Sequence, residues 1–323
     1  MLYYPVDIRI RDKPASSFTS SNSSFTECVR KHNSHSSLML TNSHCDVSPY
    51  EDCIFTGTHL TPCSTATFNA CNFTFLTSSA SGGAISFTSG DSLTIEGCIF
   101  AFCYNTISPN DYEGGGAVHA TAACTLIITS SLFIECSTPS YGGGVHAQRD
   151  CKSSTVSFST FIGCNALYGA GLMTYGGPSS SVSSSRFISC TVTYAGGAFY
   201  HSGIDSSRIS LTNSLFTRNT ADTVRDGNDD LGGGALKDVR TYDYSSHYSF
   251  SFFSRNIAET NVGHDIVIHN NPISDEDLIH CFTTTSINAF SYVMTNHINW
   301  LPQGLSKLFI RRRLSVTRSY TKT

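Results

Sequence analysis

The amino-acid sequence predicts an all-β protein, a parallel β-helix solenoid with roughly 26 or more residues per coil. Three observations lead there. A glycine element ending in an apolar residue recurs as GGAI at 82–85, GGAV at 115–118, GGGV at 142–145, GAGL at 169–172, GGAF at 196–199 and GGAL at 233–236, with a degraded copy, GHDI, at 263–266. A second element, Phe-x-x-Cys or Phe-x-x-Asn, alternates with it at Phe68–Cys71, Phe100–Cys103, Phe133–Cys136, Phe161–Cys164, Phe187–Cys190, Phe216–Asn219 and Phe253–Asn256, with Phe25–Cys28 as an earlier copy. Between the two, apolar residues alternate with Ser and Thr, as at Leu93 and Ile95, Leu126 and Ile128, and Ile209 and Leu211. Period two is that of a strand with one buried face.

The spacing separates a constant half of the unit from a variable one. From the apolar end of a glycine element to the next Phe the step is 15, 15, 16, 15, 17 and 17 residues. From Phe to the next such apolar residue it is 17, 18, 12, 11, 12, 20 and 13. Helical repeats are longer, about 33 to 45 residues, and show a 3.6-residue period. A unit of three short strands and three turns fits the length, and stacking such units sets each strand parallel to its copy about 4.8 Å away.

The glycines are expected where the chain turns sharply and a Cβ would strike the neighbouring coil. Ile85, Val118, Val145, Leu172, Phe199 and Leu236 are expected to form one inward ladder and the repeat phenylalanines a second. A single coil cannot bury its apolar side, so its neighbours complete the core. Cys and Asn exchange in the second element, which suits a small or amide side chain in a stacked turn. Cys28, Cys71, Cys103, Cys136, Cys164 and Cys190 are therefore read as stacked thiols, although adjacent rungs lie within disulfide reach.

These motifs resemble the right-handed parallel β-helix, or pectin-lyase-like, superfamily. They are most similar to the GGA[I/V] and FxxN repeats of chlamydial polymorphic outer membrane proteins, and large β-helix surface proteins of protists look similar. The resemblance covers about 68 to 268. It implies a right-handed coil and an adhesin or passenger-type surface role, without the C-terminal membrane barrel of the chlamydial members.

Four segments follow. Residues 1–67 read as degenerate coils or a cap, with strands expected at 37–41 and 53–56. The β-helix proper is 68–271. Residues 272–306, which hold the single Trp300, break the repeat and read as a C-terminal cap, because an open solenoid end invites edge pairing. Residues 307–323 form a basic tail with RRR at 311–313.

Composition bounds the partners. A net charge of −4 implies no general attraction to nucleic acid or an anionic membrane. No apolar run approaches the roughly 18 residues of a membrane span. Pro5, Asp7, Arg9 and Arg11 interrupt any leader-like apolar stretch, so a cell-surface or extracellular location is expected only as part of a longer protein. Sequons at Asn22 and Asn72 lean the same way.

Chemistry-bearing groups are scattered. Cys28, His32, His35, His44 and Cys45 lack paired metal-ligand spacing. His119 and His146 occupy equivalent positions, expected to face outward as an exposed pair. Asp111 and Glu113 lie four coils, about 19 Å, from the acidic loop RDGNDD at 225–230, too far apart for glycosidase partners. Asp91 and Asp150 are two coils apart, but Asp is also a turn residue. GHD at 263–265 is a faint likeness to the GHG of polygalacturonases, whose paired-Asp and RIK motifs are not evident. No catalytic set, metal or cofactor is assigned.

The remaining regularity is aromatic. Tyr112, Tyr141, Tyr168 and Tyr194 each precede a glycine element on successive coils, at the corner that accepts insertions. They are read either as a stacking ladder or, with Asp226, Asp229 and Asp230, as a strip that binds glycans or a protein partner. The leading functional expectation is a non-enzymatic adhesion or ligand-display scaffold. The alternatives are a polysaccharide lyase or glycoside hydrolase, and a purely structural spacer.

Overall fold

In a computed structural model of the chain, residues 65–258 are described apart from the loops at 109–112, 122–123, 150, 177–178, 204–207, 223–231 and 241–246. Beyond that span the structure describes strands at Phe18–Thr19, Leu38–Met39, Tyr50–Glu51, Ile54–Phe55, Ile266–His269, Leu278–Ile279, Phe282–Thr283 and Phe290–Val293. The described residues contain strands and turns and no helix.

Three long parallel sheets wrap one core, as in a parallel β-solenoid. The first, of nine strands, runs from Tyr50–Glu51 through strands such as Thr125–Thr129 and Ser153–Ser157 to Leu278–Ile279. The second, also of nine, runs from Ile54–Phe55 through strands such as Leu132–Ile134 to Phe282–Thr283. The third, of eight, starts at Ile85–Phe87, includes Val145–Ala147 and ends at Phe290–Val293. A short fourth ladder, not expected from the sequence, lies at the variable corner and includes Asn165–Tyr168 and Thr191–Ala195. Strands at 278–293 thus continue all three sheets into the segment expected to be a cap.

Alternation explains the strands. In the first sheet Leu126 and Ile128 are buried while Thr125, Ile127 and Thr129 are half-buried. Leu126 pairs with Ser154, and Ser154 with Ser180. These two inward serines hydrogen bond each other at 3.0 Å, so the hydroxyls are satisfied inside the core. The expected inward ladder is present: Ile85, Val118, Val145, Leu172, Phe199 and Leu236 pair in register and each is fully buried.

Phe55, Phe73, Phe100, Phe133, Phe161, Phe187, Phe216 and Phe253 stack with centroids 4.5–5.0 Å apart and planes within 10°. One assignment needs correction. Phe68 pairs with Ile95, in the first sheet, whereas Phe73 pairs with Phe100. The true rung is Phe73, twelve residues before Ile85, which removes one of the three longest steps in the variable half. Phe68–Cys71 mimics the motif because the first sheet also ends on an inward residue followed by a small turn residue.

The two turns flanking the second sheet each use one residue with left-handed φ. One column is Ala70, Gly97, Ser130, Phe158, Ser184, Asn213 and Phe250; the other is Phe75, Phe102, Glu135, Gly163, Ser189, Arg218 and Arg255. The residue after each is turned inward and, Leu76 apart, is small. In the first column it is Cys71 and Cys98, then serines. The amide of Ser131 donates to Ser159 Oγ at 3.1 Å and that of Ser159 to Ser185 Oγ at 3.2 Å, while each hydroxyl donates to the carbonyl two residues back. In the second column Cys103, Cys136, Cys164 and Cys190 give way to asparagines: the amide of Cys190 donates to Asn219 Oδ1 at 2.9 Å, and that of Asn219 to Asn256 Oδ1 at 3.0 Å. Both chemistries satisfy a buried turn, which explains the exchange. The eight described cysteines are all buried thiols.

The glycine element answers two demands. Gly142 has φ +67°, and a Cβ there would sit 2.3 Å from the carbonyl oxygen of Val145. One coil earlier, a Cβ on Gly116 would lie 2.0 Å from the carbonyl oxygen of Gly143 on the neighbouring coil. The first glycine permits the turn and the second permits the stacking distance.

Candidate ligand-binding cleft on the third sheet

In the strand Val145–Ala147, Val145 and Ala147 join the main core, so His146 points to the opposite side of the sheet. The same row runs in register through Ser86, His119, His146, Met173, Tyr200 and Lys237. His119 and His146 were expected to be exposed. They are neighbours, with ring centroids 5.3 Å apart, but each is only 1% exposed. The reason is a second apolar layer: Met173, Ala195 and Tyr200 form a separate cluster, against which Tyr141, Tyr168, Tyr175 and Val239 pack.

The tyrosines of the variable corner build that layer. Tyr141 bridges to Tyr168 in register, and their rings stack at 5.4 Å and 17°. Tyr168 meets Tyr200 edge-on at 5.2 Å, and Tyr141 lies 5.8 Å from the His146 ring. A cleft of about 270 Å³ opens between them, lined by Tyr141, Tyr168, Tyr175 and Tyr200 with His146 and Met173, and closed by Ser202 and Val239. None of these eight lining residues carries a carboxylate or a permanent cation. Burial, and secondarily the neighbouring His119, hold the His146 pKa well below its ordinary value, so its imidazole is neutral at pH 7.

The structure brings together only some residues expected to act. Tyr141 and Tyr168 line the cleft. Tyr194 touches Tyr168 at 5.1 Å but occupies a register shift, because Tyr168 pairs with Ala195. Tyr112, Asp226, Asp229 and Asp230 lie outside the described residues, as do the histidine and cysteine group at 28–45, Asp111, Asp150 and GHD at 263–265. Glu113 accepts a hydrogen bond from Ser81, and Asp91 is exposed. Sequence reasoning missed Tyr175, Tyr200, Met173 and the cleft-lining role of His146. A signal existed: the residue after each inward apolar one is His, His, Met, Tyr and Lys at 119, 146, 173, 200 and 237, bulky where a solvent-facing strand elsewhere carries Ser or Thr.

A second polar group was also missed. Thr174 Oγ1 lies 2.8 Å from His201 Nδ1, His201 Nε2 is 4.0 Å from Asp238 Oδ1, and Tyr248 donates to Asp238 Oδ2 at 2.5 Å. A hydroxyl–imidazole–carboxylate order resembles a nucleophile array. Yet all four residues are at most 3% exposed and point into the solenoid, so no substrate reaches them. They form a buried polar brace.

Among the described residues, no three His, Cys, Asp or Glu side chains cluster as a metal site, and no helix is long and apolar enough to cross a membrane. No protein-family model, curated protein or solved structure matches the chain.

Proposed function

We propose that the protein is a non-enzymatic ligand-binding scaffold, a right-handed pectin-lyase-like β-helix displayed at a cell surface as part of a longer protein, and that it holds a glycan in the tyrosine cleft. The observation that carries the reading is the convergence of four tyrosines on an uncharged cleft. Tyrosine offers broad contact area with little rotamer entropy to lose, and its hydroxyl adds a polar handle. The apolar face of a sugar ring suits such walls, while the tyrosine hydroxyls and Ser202 offer hydrogen bonds to its hydroxyls. Glycoside cleavage needs two carboxylates about 5 to 9.5 Å apart, and the lining supplies none, which favours binding over hydrolysis. The handedness follows from the strong preference of parallel crossover connections and from the motif resemblance.

The test is a glycan-array and calorimetric comparison of the wild type with Tyr141→Ser and Tyr168→Ser. Lost binding with a melting temperature within about 2 °C of wild type supports the reading. Retained binding in both variants refutes the location. Loss of binding together with several degrees of stability assigns the tyrosines to the fold alone.

A further inference from the structure

The cysteines of the coil turns and the pair Cys124 and Cys151 behave differently. The thiols at the second-sheet corner meet one another from rung to rung, yet each also has a main-chain oxygen to donate to: Cys103 that of Phe73, 3.5 Å, Cys136 that of Phe100, 3.5 Å, and Cys190 that of Phe161, 3.8 Å. They belong to a column that continues as asparagine. Cys124 and Cys151 belong to no such column. The residue before the strand that pairs with Thr125–Thr129 on the preceding coil is Asp91. Their sulfurs lie 3.0 Å from each other, 27 residues apart in sequence. Both flank the loops that lead from the third sheet into the first, one on the coil of His119 and the other on the coil of His146.

We propose that Cys124 and Cys151 are a disulfide-forming pair that staples these two coils in an oxidising compartment. The separation must close by only about 1 Å to reach a bond of roughly 2.05 Å. The backbone is already held, because the amide of Lys152 donates to Cys124 O at 2.8 Å and that of Cys151 to Gln148 O at 2.9 Å. Hydrogen bonding by Cys151, ahead of the opposing effect of burial, draws the Cys124 pKa below its ordinary value, and Lys152 adds a smaller pull. A thiolate is the attacking species, so Cys124 is the first nucleophile.

The reaction consumes one small-molecule disulfide. The Cys124 thiolate attacks one of its sulfurs, breaks the S–S bond and expels one thiolate, leaving a mixed disulfide on Cys124. Cys151 loses its proton, and its thiolate attacks the Cys124 sulfur, expelling the second small thiolate. Two protein thiols lose two electrons, the external disulfide gains them, and the two released protons go to the two leaving thiolates. The thiols are 0% and 2% exposed, so the first attack proceeds through local opening of the adjoining loop and is slow.

The experiment treats the full chain with oxidised glutathione, at 25 °C and again a few degrees below the melting temperature so that local opening does not limit access. Remaining thiols are alkylated in denaturant and the peptides mapped by mass spectrometry. A Cys124–Cys151 cross-linked peptide, two hydrogens lighter than its reduced parts, supports the proposal. So does a melting temperature about 5–10 °C above that of the reduced protein, lost again in Cys151→Ser. Full alkylation of both cysteines after oxidation at the higher temperature overturns it, as does cross-linking confined to Cys103, Cys136, Cys164 and Cys190. The wild-type map decides even where the serine variant fails to fold.

Discussion

The two sides of the third sheet are built from neighbouring residues by different rules. On the inner side Ile85, Val118, Val145, Leu172, Phe199 and Leu236 repeat one demand, apolar and fully buried. On the outer side Ser86, His119, His146, Met173, Tyr200 and Lys237 are also buried, yet no two adjacent positions beyond the histidines share a chemistry. The inner row is a solution to stacking that every coil reuses. The outer row is covered by side chains from the variable corner, so each coil meets its own neighbours there. Repetition marks the residues that hold the solenoid, and irregular burial marks where it has been adapted.

Substitution at one strand separates the two sides most sharply. Val145→Asp should cost more than about 4 kcal/mol, enough to leave the protein insoluble or unfolded, because the charge enters a dry ladder without a partner. Circular dichroism and solubility read the effect, and a variant that melts like the wild type would remove Val145 from the core. A smaller loss tests the turn column. Asn219→Ala should cost about 2–3 kcal/mol in denaturant unfolding, since the amide of Cys190 loses its acceptor and Phe187 O its donor. Asn219→Cys, which restores the side chain used by the preceding coils, should recover most of that loss. Equal losses in the two variants would mean that Cys and Asn are not equivalent there.

The histidines of the outer row should respond to acid where the apolar inner ladder from Ile85 to Leu236 does not. Burial lowers the pKa of His146 in the folded state, so below the ordinary histidine pKa of about 6.5 the unfolded chain binds the extra proton and stability falls with pH. Stability should therefore be fully present at pH values well above 6.5 and fall as the pH drops through about 6.5 toward 5. His146→Met, which copies the neighbouring Met173, should fold and show a shallower acid slope in urea unfolding measured across that range. An unchanged slope would place the acid sensitivity elsewhere.

The sequence carried the fold because strand period, glycine element and phenylalanine element are all short-range patterns imposed by the same stacking. The inward ladder could be read residue by residue. The error at Phe68 arose where two corners of one coil use similar chemistry, an inward apolar residue and then a small turn residue, so that spacing alone did not tell them apart. The cleft was half legible. Tyr141 and Tyr168 announced themselves by repetition, whereas Tyr175 and Tyr200 sit at positions that period two assigns to solvent. The second apolar layer that buries them is assembled across coils, and the only local trace of it is the bulk of the residues at 119, 146, 173, 200 and 237. The closeness of Cys124 and Cys151 likewise depends on the register between coils at a loop.

The stacked phenyl rings bear on how such a chain changes over time. From Phe100 to Phe216 each ring stacks on the rings above and below with nearly the same geometry. Excising the stretch between Ser154 and its partner Ser180 would bring Phe133 over Phe187 with nothing else in the stack rearranged. Lineages of this architecture can therefore lengthen or shorten by whole turns through unequal recombination. The inherited unit is the coil, and reach can be altered without redesigning an interior.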